Sequence, residues 1–419
     1  MSPHPPSPEE EPPGLVIDTS DAGSDHLQHI VPLVAPATLL PDRVEVAIIG
    51  GGIMGASIAF HLAEVGVIDV VVIERDTTGS GSSAKPLGGV RATFSDAGNI
   101  LLGQRSLRAF EEFPARLGTN IGLRQVGYLF LCRTESELAA VEESVALQNQ
   151  LGCSSRMVDP DEAQTINPFL DPAPLLGASF SPRDGYAEPA LVVAGYITAA
   201  TGLGVRFCEH TEVLDITRRI DDTHHIITQH GSLTADVVII AAGAWSTKLG
   251  AMVGVHLPIE PVRRQIGFTP QGATPHPTVP FTLDLSTTMY FHNYRNGLLL
   301  GISNRDEDPG FCREFSYGWT RAFDEAAAIV APSLVRQPLT GGWAGLYENT
   351  PDHNAVIGKA DVPGVLYATG FSGHGFLQGP AVGEIVRDLY LDREPFMDPT
   401  PFSADRFGVG SLLTEVHII

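Results

Sequence analysis

The chain has 419 residues, 43% of them hydrophobic and 18% charged, the balance of a globular protein with more than one core. Its formal net charge of −23 argues against nucleic acid and anionic membrane surfaces as partners. No apolar run approaches the roughly 20 residues that span a bilayer. Cys132, Cys153, Cys208 and Cys312 are too scattered for a structural metal or a dithiol centre, the pattern of reduced thiols in a cytoplasm.

Residues 1–42 read as a disordered, acidic, Pro-rich arm. PHPPSPEEEPP opens it, and no Lys or Arg precedes Arg43. Such a segment buries too little apolar surface to offset its chain entropy. It lacks the positive start and apolar core of a secretory signal. Ile30–Val34 and Leu39-Leu40 are its candidates for a short docked strand or turn.

The next stretch organises everything after it. Val46–Ile49 reads as a buried strand that enters Gly50-Gly51-Gly52-Ile53-Met54-Gly55, a G-x-G-x-x-G turn. A helical pattern runs through Leu62 and Ala63 and stops near Gly66, and a second buried strand, Val70–Ile73, ends in Glu74. Gly50 permits the tight turn, Gly52 a close approach to a pyrophosphate, and Gly55 close helix–strand packing. The helix N-terminus offers N–H groups to phosphate, and Glu74 can accept from both ribose hydroxyls. Together these parts predict dinucleotide binding.

Arg75–Phe94 is a Gly/Ser-rich loop, placed directly after the acid-bearing strand. Helices are expected at Asn99–Arg116, Glu135–Leu151, Ala190–Thr201, Phe323–Val330 and Gly379–Leu391. Strands are expected at Tyr128–Leu131, Ser155–Val158, Ala178–Phe180, Val205–Cys208, Glu212–Ile216, Thr223–Gln229, Val237–Ala241, Gln265–Phe268, Thr288–Phe291 and Gly297–Leu300. DVVIIAAGAWS (Asp236–Ser246) and VLYATGFSGHGF (Val365–Phe376) each run a strand into a glycine turn, where open α/β sheets bind ligands. The expected organisation is a discontinuous α/β architecture. Residues 43–125, 186–256 and 345–395 build the dinucleotide-binding domain, 126–185 and 257–344 a β-rich substrate domain, and 396–419 a C-terminal tail.

DVVIIAAGAWS, GLYENTPDHNAVIG (Gly345–Gly358) and YATGFSGHGFLQGPAVGE (Tyr367–Glu384), with the fingerprint, resemble the D-amino acid oxidase superfamily of FAD-dependent oxidoreductases over residues 44–395. Within it the chain is most similar to sarcosine oxidases, dimethylglycine dehydrogenase and the β subunits of bacterial sarcosine oxidases and proline dehydrogenases. The resemblance implies a Rossmann-like FAD domain of the glutathione-reductase type. It implies that Gly50, Gly52 and Gly55, with Ile53 and Met54, hold the FAD pyrophosphate, and that Glu74 and Arg75 lie at the adenosine. Ser82, Ser83, Gly88 and Gly89 would line the loop beside the flavin. Val213 would meet the adenine, and Ala242, Gly243 and Trp245 would sit along the cofactor's middle. Gly345, Gly373, His374, Gly375, Phe376 and Leu377 would surround the ring.

The implied chemistry is oxidation of the C–N bond of a small amine or amino acid to an imine, with hydride transfer to flavin N5 and then electrons to oxygen or another acceptor. Arg91 matches an arginine at the flavin face, able to stabilise reduced flavin or engage a substrate carboxylate. Alternation places Tyr290, His292 and Tyr294 on one strand face, as pocket lining or as plain sheet surface. His374 is either a ring contact or a space-filling histidine. Gly345 stands where sarcosine oxidases carry a flavin-linked cysteine, so the FAD is expected to be non-covalent. Leu299 and Leu377 stand at two family lysines, one for oxygen and one for substrate carboxylate. Alternatives are a dehydrogenase subunit that passes electrons to a partner or quinone, in a homo- or hetero-oligomer, and a non-catalytic FAD scaffold.

Overall fold

A computed structural model describes residues 40–85, 87–272, 276–304, 306–408 and 415. The arm before Leu40 lies outside the described residues, and with it Ile30–Val34. Leu40 itself packs against the core that holds Val44, Ala47 and Ile49.

The first sheet is built on Arg43–Ile49, whose β-branched residues are buried on both faces, as a central parallel strand requires. It pairs in parallel with Val70–Ile73 on one side and Gly231–Ile240 on the other. Arg206–Cys208 extends the sheet beyond the former and Val365–Thr369 beyond the latter, both parallel, and Val356–Lys359 closes one edge antiparallel. Gly231–Ile240 is longer than its apolar core, because its first half forms an antiparallel ribbon with His224–Thr228, which pairs in turn with Val213–Arg218.

The fingerprint helix, Ile53–Ala63, is buried along its whole length. It lies against Pro189–Gly202 and Gly375–Tyr390. That last helix starts four residues before the expected Gly379 and runs through Pro380. An internal proline forfeits a backbone hydrogen bond, and close packing offsets the loss. A Cβ on Gly379 would sit 2.7 Å from Ile53 Cγ1, and one on Gly383 would sit 2.3 Å from Ser57 Oγ. Ser57 Oγ donates to the Gly379 carbonyl at 2.9 Å.

The second sheet has eight strands, in the order Gly341–Asn349, Glu260–Phe268, Gly297–Ile302, Met289–Tyr294, Phe281–Asp284, Tyr128–Cys132, Gly177–Ser181 and Arg156–Val158. Its neighbours are antiparallel except for Phe281–Asp284 beside Tyr128–Cys132. The helix Thr320–Val330 packs on one face through Phe323, Ala326, Ala327 and Val330. The other face carries Tyr128, Phe130, Ile266, Phe281, Tyr290 and Leu299.

One expected boundary falls in the wrong place. Residue 345 lies inside Gly341–Asn349, which pairs along its full length with Glu260–Phe268. Residues 345–349 therefore belong to the second sheet, and the first resumes at Val356. Pairing to a strand distant in sequence, which no local pattern records, places them there. The segment after 396 is anchored, with Phe402 in the first core and Arg406 paired to Asp352 at 2.7 Å.

Candidate active site

A cleft with about 1980 Å³ of empty space, partly open to solvent, runs from the ends of the parallel strands to the inner face of the second sheet. Ile49, Ile73, Ala241 and Ala368 mark the first wall; Tyr128, Ile266, Tyr290 and Tyr347 mark the second.

At the first wall the backbone turns at Gly50, with φ of +110°; a Cβ there would lie 2.4 Å from the Ala241 carbonyl oxygen. Only glycine fits. Gly55 is not in the cleft: a Cβ on it would meet Gly50 O at 1.9 Å, so it sets the distance between helix and turn. Glu74 is fixed by two backbone donors, Gly51 N to Oε2 at 2.7 Å and Asp76 N to Oε1 at 2.8 Å. Ser83 Oγ accepts from Ile53 N at 2.8 Å, and Ser82 Oγ donates to Leu346 O at 2.7 Å. The Ser82–Ala84 turn thus ties the fingerprint helix to the second sheet. Arg75 lies over the Trp245 ring at 4.3 Å and pairs with Asp76 at 3.0 Å.

Toward the inner end, Arg91 is buried over the Phe94 ring at 4.0 Å. It donates to Thr93 O and, at 3.1 Å, to His374 Nε2. Burial lowers its pKa, opposed by the neighbouring Tyr128, Glu415 and Asp184. Asp184 accepts from Ala92 N at 3.1 Å and Thr93 Oγ1 at 2.9 Å, yet burial raises its pKa to about 6. His374 is the residue before the helix Gly375–Tyr390, so that helix's positive end opens on the cleft.

Glu348 joins the two glycine turns. Its Oε2 accepts from Gly370 N and Thr369 Oγ1, both at 3.1 Å, and Gly243 lies beside it. Burial still lifts its pKa to about 7.

The expected site residues line this cleft, Gly55, His292 and Tyr294 excepted. His292 is buried behind it, stacked on Phe281 at 4.8 Å and Tyr186 at 4.6 Å. Its ring nitrogens lie 2.7 Å from Asn293 O and 3.1 Å from Leu87 O, and burial lowers its pKa to about 4. A strand's alternation finds the face but not what covers it, and aromatic rings cover His292. Tyr290 does reach the cleft, while Tyr294 stacks on Phe268 outside it.

Sequence reasoning passed over Tyr128, Arg264, Tyr347, Glu348, Lys85 and Arg313, all lining residues. Arg264 had a readable signal: it alternates with Ile266 on one face of Glu260–Phe268, a charge on an apolar stripe. Its guanidinium lies 5.4 Å from the Tyr347 ring, and its buried Nε has no hydrogen-bond partner among the described residues.

A family model described as FAD dependent oxidoreductase matches residues 45–389. The chain belongs to this family. It is 32% identical over 375 residues to the glycine oxidase of Geobacillus kaustophilus, covering 87% of this chain and 97% of that one. It is 27% identical over 388 residues to the mitochondrial dimethylglycine dehydrogenase of Rattus norvegicus, of whose length it spans 45%. The crystal structure of L-proline dehydrogenase from P. horikoshii superposes with a TM-score of 0.83 at 30% identity, covering 89% of this chain and all of that one. This FAD-dependent oxidoreductase has a cleft that suits its cofactor. The Gly50 turn takes a backbone path that no Cβ-bearing residue fits, the helix N-terminus offers positive charge for a diphosphate, and Glu74 is held ready to accept from hydroxyls. Among the described residues no group of three metal-binding side chains occurs, and no helix is long and apolar enough to cross a membrane.

Proposed function

We propose that this protein oxidises the C–N bond of a small amino acid to an imine, which water then hydrolyses. The observation that carries this reading is Arg264, a cation with an unpartnered buried Nε in a wall otherwise made of Tyr128, Ile266, Tyr290 and Tyr347. An apolar, phenol-rich wall with a buried guanidinium fits a small molecule that has an apolar body and a carboxylate. Bound FAD supplies the two-electron acceptor for the substrate hydride. The chain's own residues bind and orient. Arg264 holds the carboxylate, the tyrosines exclude water, and the Arg91–His374 pair fixes the turn at Gly373. The relatives' names agree in class, since glycine and proline are both amino acids.

The FAD is proposed to be non-covalent. Gly345 has no side chain to bond it, and none of the four cysteines lines the cleft. A second reading, a dehydrogenase that passes electrons to an acceptor other than oxygen, is favoured by Leu299, an apolar side chain buried in the face that carries Ile266 and Tyr290, where the family lysine for oxygen would stand.

The test is to denature the yellow protein and ask whether the colour stays with the polypeptide. The native protein is then mixed anaerobically with N-methyl, cyclic and simple amino acids, and with the matching decarboxylated amines. Bleaching by amino acids alone supports the proposal, and bleaching by amines alone overturns the carboxylate assignment. No bleaching at all favours a non-catalytic scaffold. Fast recolouring in air marks an oxidase, slow recolouring the second reading.

A further inference from the structure

Lys85 and Arg313 stand at the cleft without an ion-paired carboxylate, as do Lys248 and Arg264 farther along its lining. Lys85 follows the Ser82–Ala84 turn, and a Cβ built on Gly345 would lie 3.6 Å from its own Cβ. Arg313 comes from the loop between Gly297–Ile302 and Thr320–Val330 of the second sheet, and lies 5.6 Å from the Trp245 ring. Both line the cleft. Among the described residues, neither forms an ion pair with a carboxylate. Burial, and then the Arg313 charge, lowers the pKa of Lys85, so the two cations feel one another.

Three of the four carboxylates that line the cleft have other partners. Glu74 is held by backbone N–H groups, Asp76 by Arg75, and Glu348 by Thr369 and Gly370. The loop that carries Arg313 is built, not loose. Gly310 N donates to Pro261 O at 2.7 Å, Arg263 Nη1 to Glu314 O at 3.0 Å, and Ser316 N to Gln265 Oε1 at 2.7 Å. In a chain of net charge −23, two adjacent unpaired cations in one cleft are a site for an anion.

We infer that Lys85 and Arg313 bind the diphosphate of the FAD, so that a loop of the second sheet helps hold a cofactor seated on the first. The connection is short. Ser83, two residues before Lys85, already holds the first N–H of the fingerprint helix, where a diphosphate binds. Arg313 shares Trp245 with Arg75, and Phe311 stacks on the same ring at 5.6 Å, so this loop touches the Ala242–Trp245 turn across the cleft mouth.

The experiment follows FAD release from the purified holoprotein by flavin fluorescence on dilution, at rising NaCl. Lys85→Gln and Arg313→Gln each weaken retention by about tenfold at low salt, the loss of one charge-assisted contact. The difference from wild type shrinks as salt screens the charges. Lys85→Arg retains FAD nearly as wild type does. Arg321→Gln, which removes an exposed pair with Glu325, changes nothing. Wild-type retention in both Gln variants overturns the inference, and so does an equal loss at every salt concentration, which would mark a packing defect. Inorganic phosphate is titrated into the same holoproteins. If it perturbs the visible spectrum of the wild type but not of the Gln variants, the pair serves a second anion and the diphosphate assignment fails.

Discussion

Arg91 donates from Nη2 to Nε2 of His374 at 3.1 Å, across 283 residues of sequence. Arginine has no acceptor, so His374 must present an unprotonated Nε2 to it. The pair joins the loop after Ser83 to the turn that opens the helix Gly375–Tyr390. Arg91→Met should remove this contact from the His374 ring, shift the flavin absorption band and lower kcat/KM by about 10²-fold, the scale of a small misplacement in an active site. Arg91→Lys keeps the charge but loses the fork, and should recover only part. An unchanged spectrum in Arg91→Met would assign the pair a purely structural role.

Arg264→Met separates binding of the carboxylate from chemistry. For an amino-acid substrate kcat/KM should fall by about 10²-fold, mostly through KM. For the matching amine without a carboxylate it should hardly change. Equal losses on both substrates would mean that Arg264 supports the wall and does not meet the substrate.

Gly55→Ala tests packing without touching the cleft. Its Cβ would lie 1.9 Å from Gly50 O, so the fingerprint turn must move. Overpacking of this kind costs about 3 kcal/mol, read as a lower Tm and as FAD lost on purification. Gly202→Ala meets nothing within 4 Å at the end of its helix and is the control. It should be neutral or stabilising by about 0.5 kcal/mol.

Asp184 gives a pH signature. Burial raises its folded pKa from 3.8 to about 6, so the folded state binds a proton that the unfolded state has already lost in that interval. Its contribution is complete below the unfolded value and declines as pH rises through the folded one. The Tm of wild type relative to Asp184→Asn should therefore fall between about pH 4 and pH 6 and level off above. A constant difference across that window would sink the assignment.

What the sequence disclosed was local. Gly50, Gly52, Gly55 and Glu74 lie within one strand–helix–strand unit, where spacing alone sets geometry, and each stands where that geometry demands. The boundary at 345 was misplaced because the partners of Gly341–Asn349 lie some 80 residues earlier. Glu348 stayed hidden for the same reason. Its hydrogen-bonding partners, Thr369 and Gly370, are brought to it by pairing that no local pattern records. His292 was placed on the correct strand, but the rings of Phe281 and Tyr186 that shut it off come from two other segments.

The order of strands in the first sheet bears on how the protein is made. Arg43–Ile49 emerges early, yet one of its two neighbours is Gly231–Ile240, and the helix beneath its glycine turn ends only at Tyr390. At about 5–20 residues per second, the fingerprint waits on the order of tens of seconds on the ribosome for the segments that complete it. Over that interval its β-branched strand is an unpaired apolar edge. FAD can therefore act only after the segments through Tyr390 have been made, and a shortage of it should show first as aggregated newly made protein.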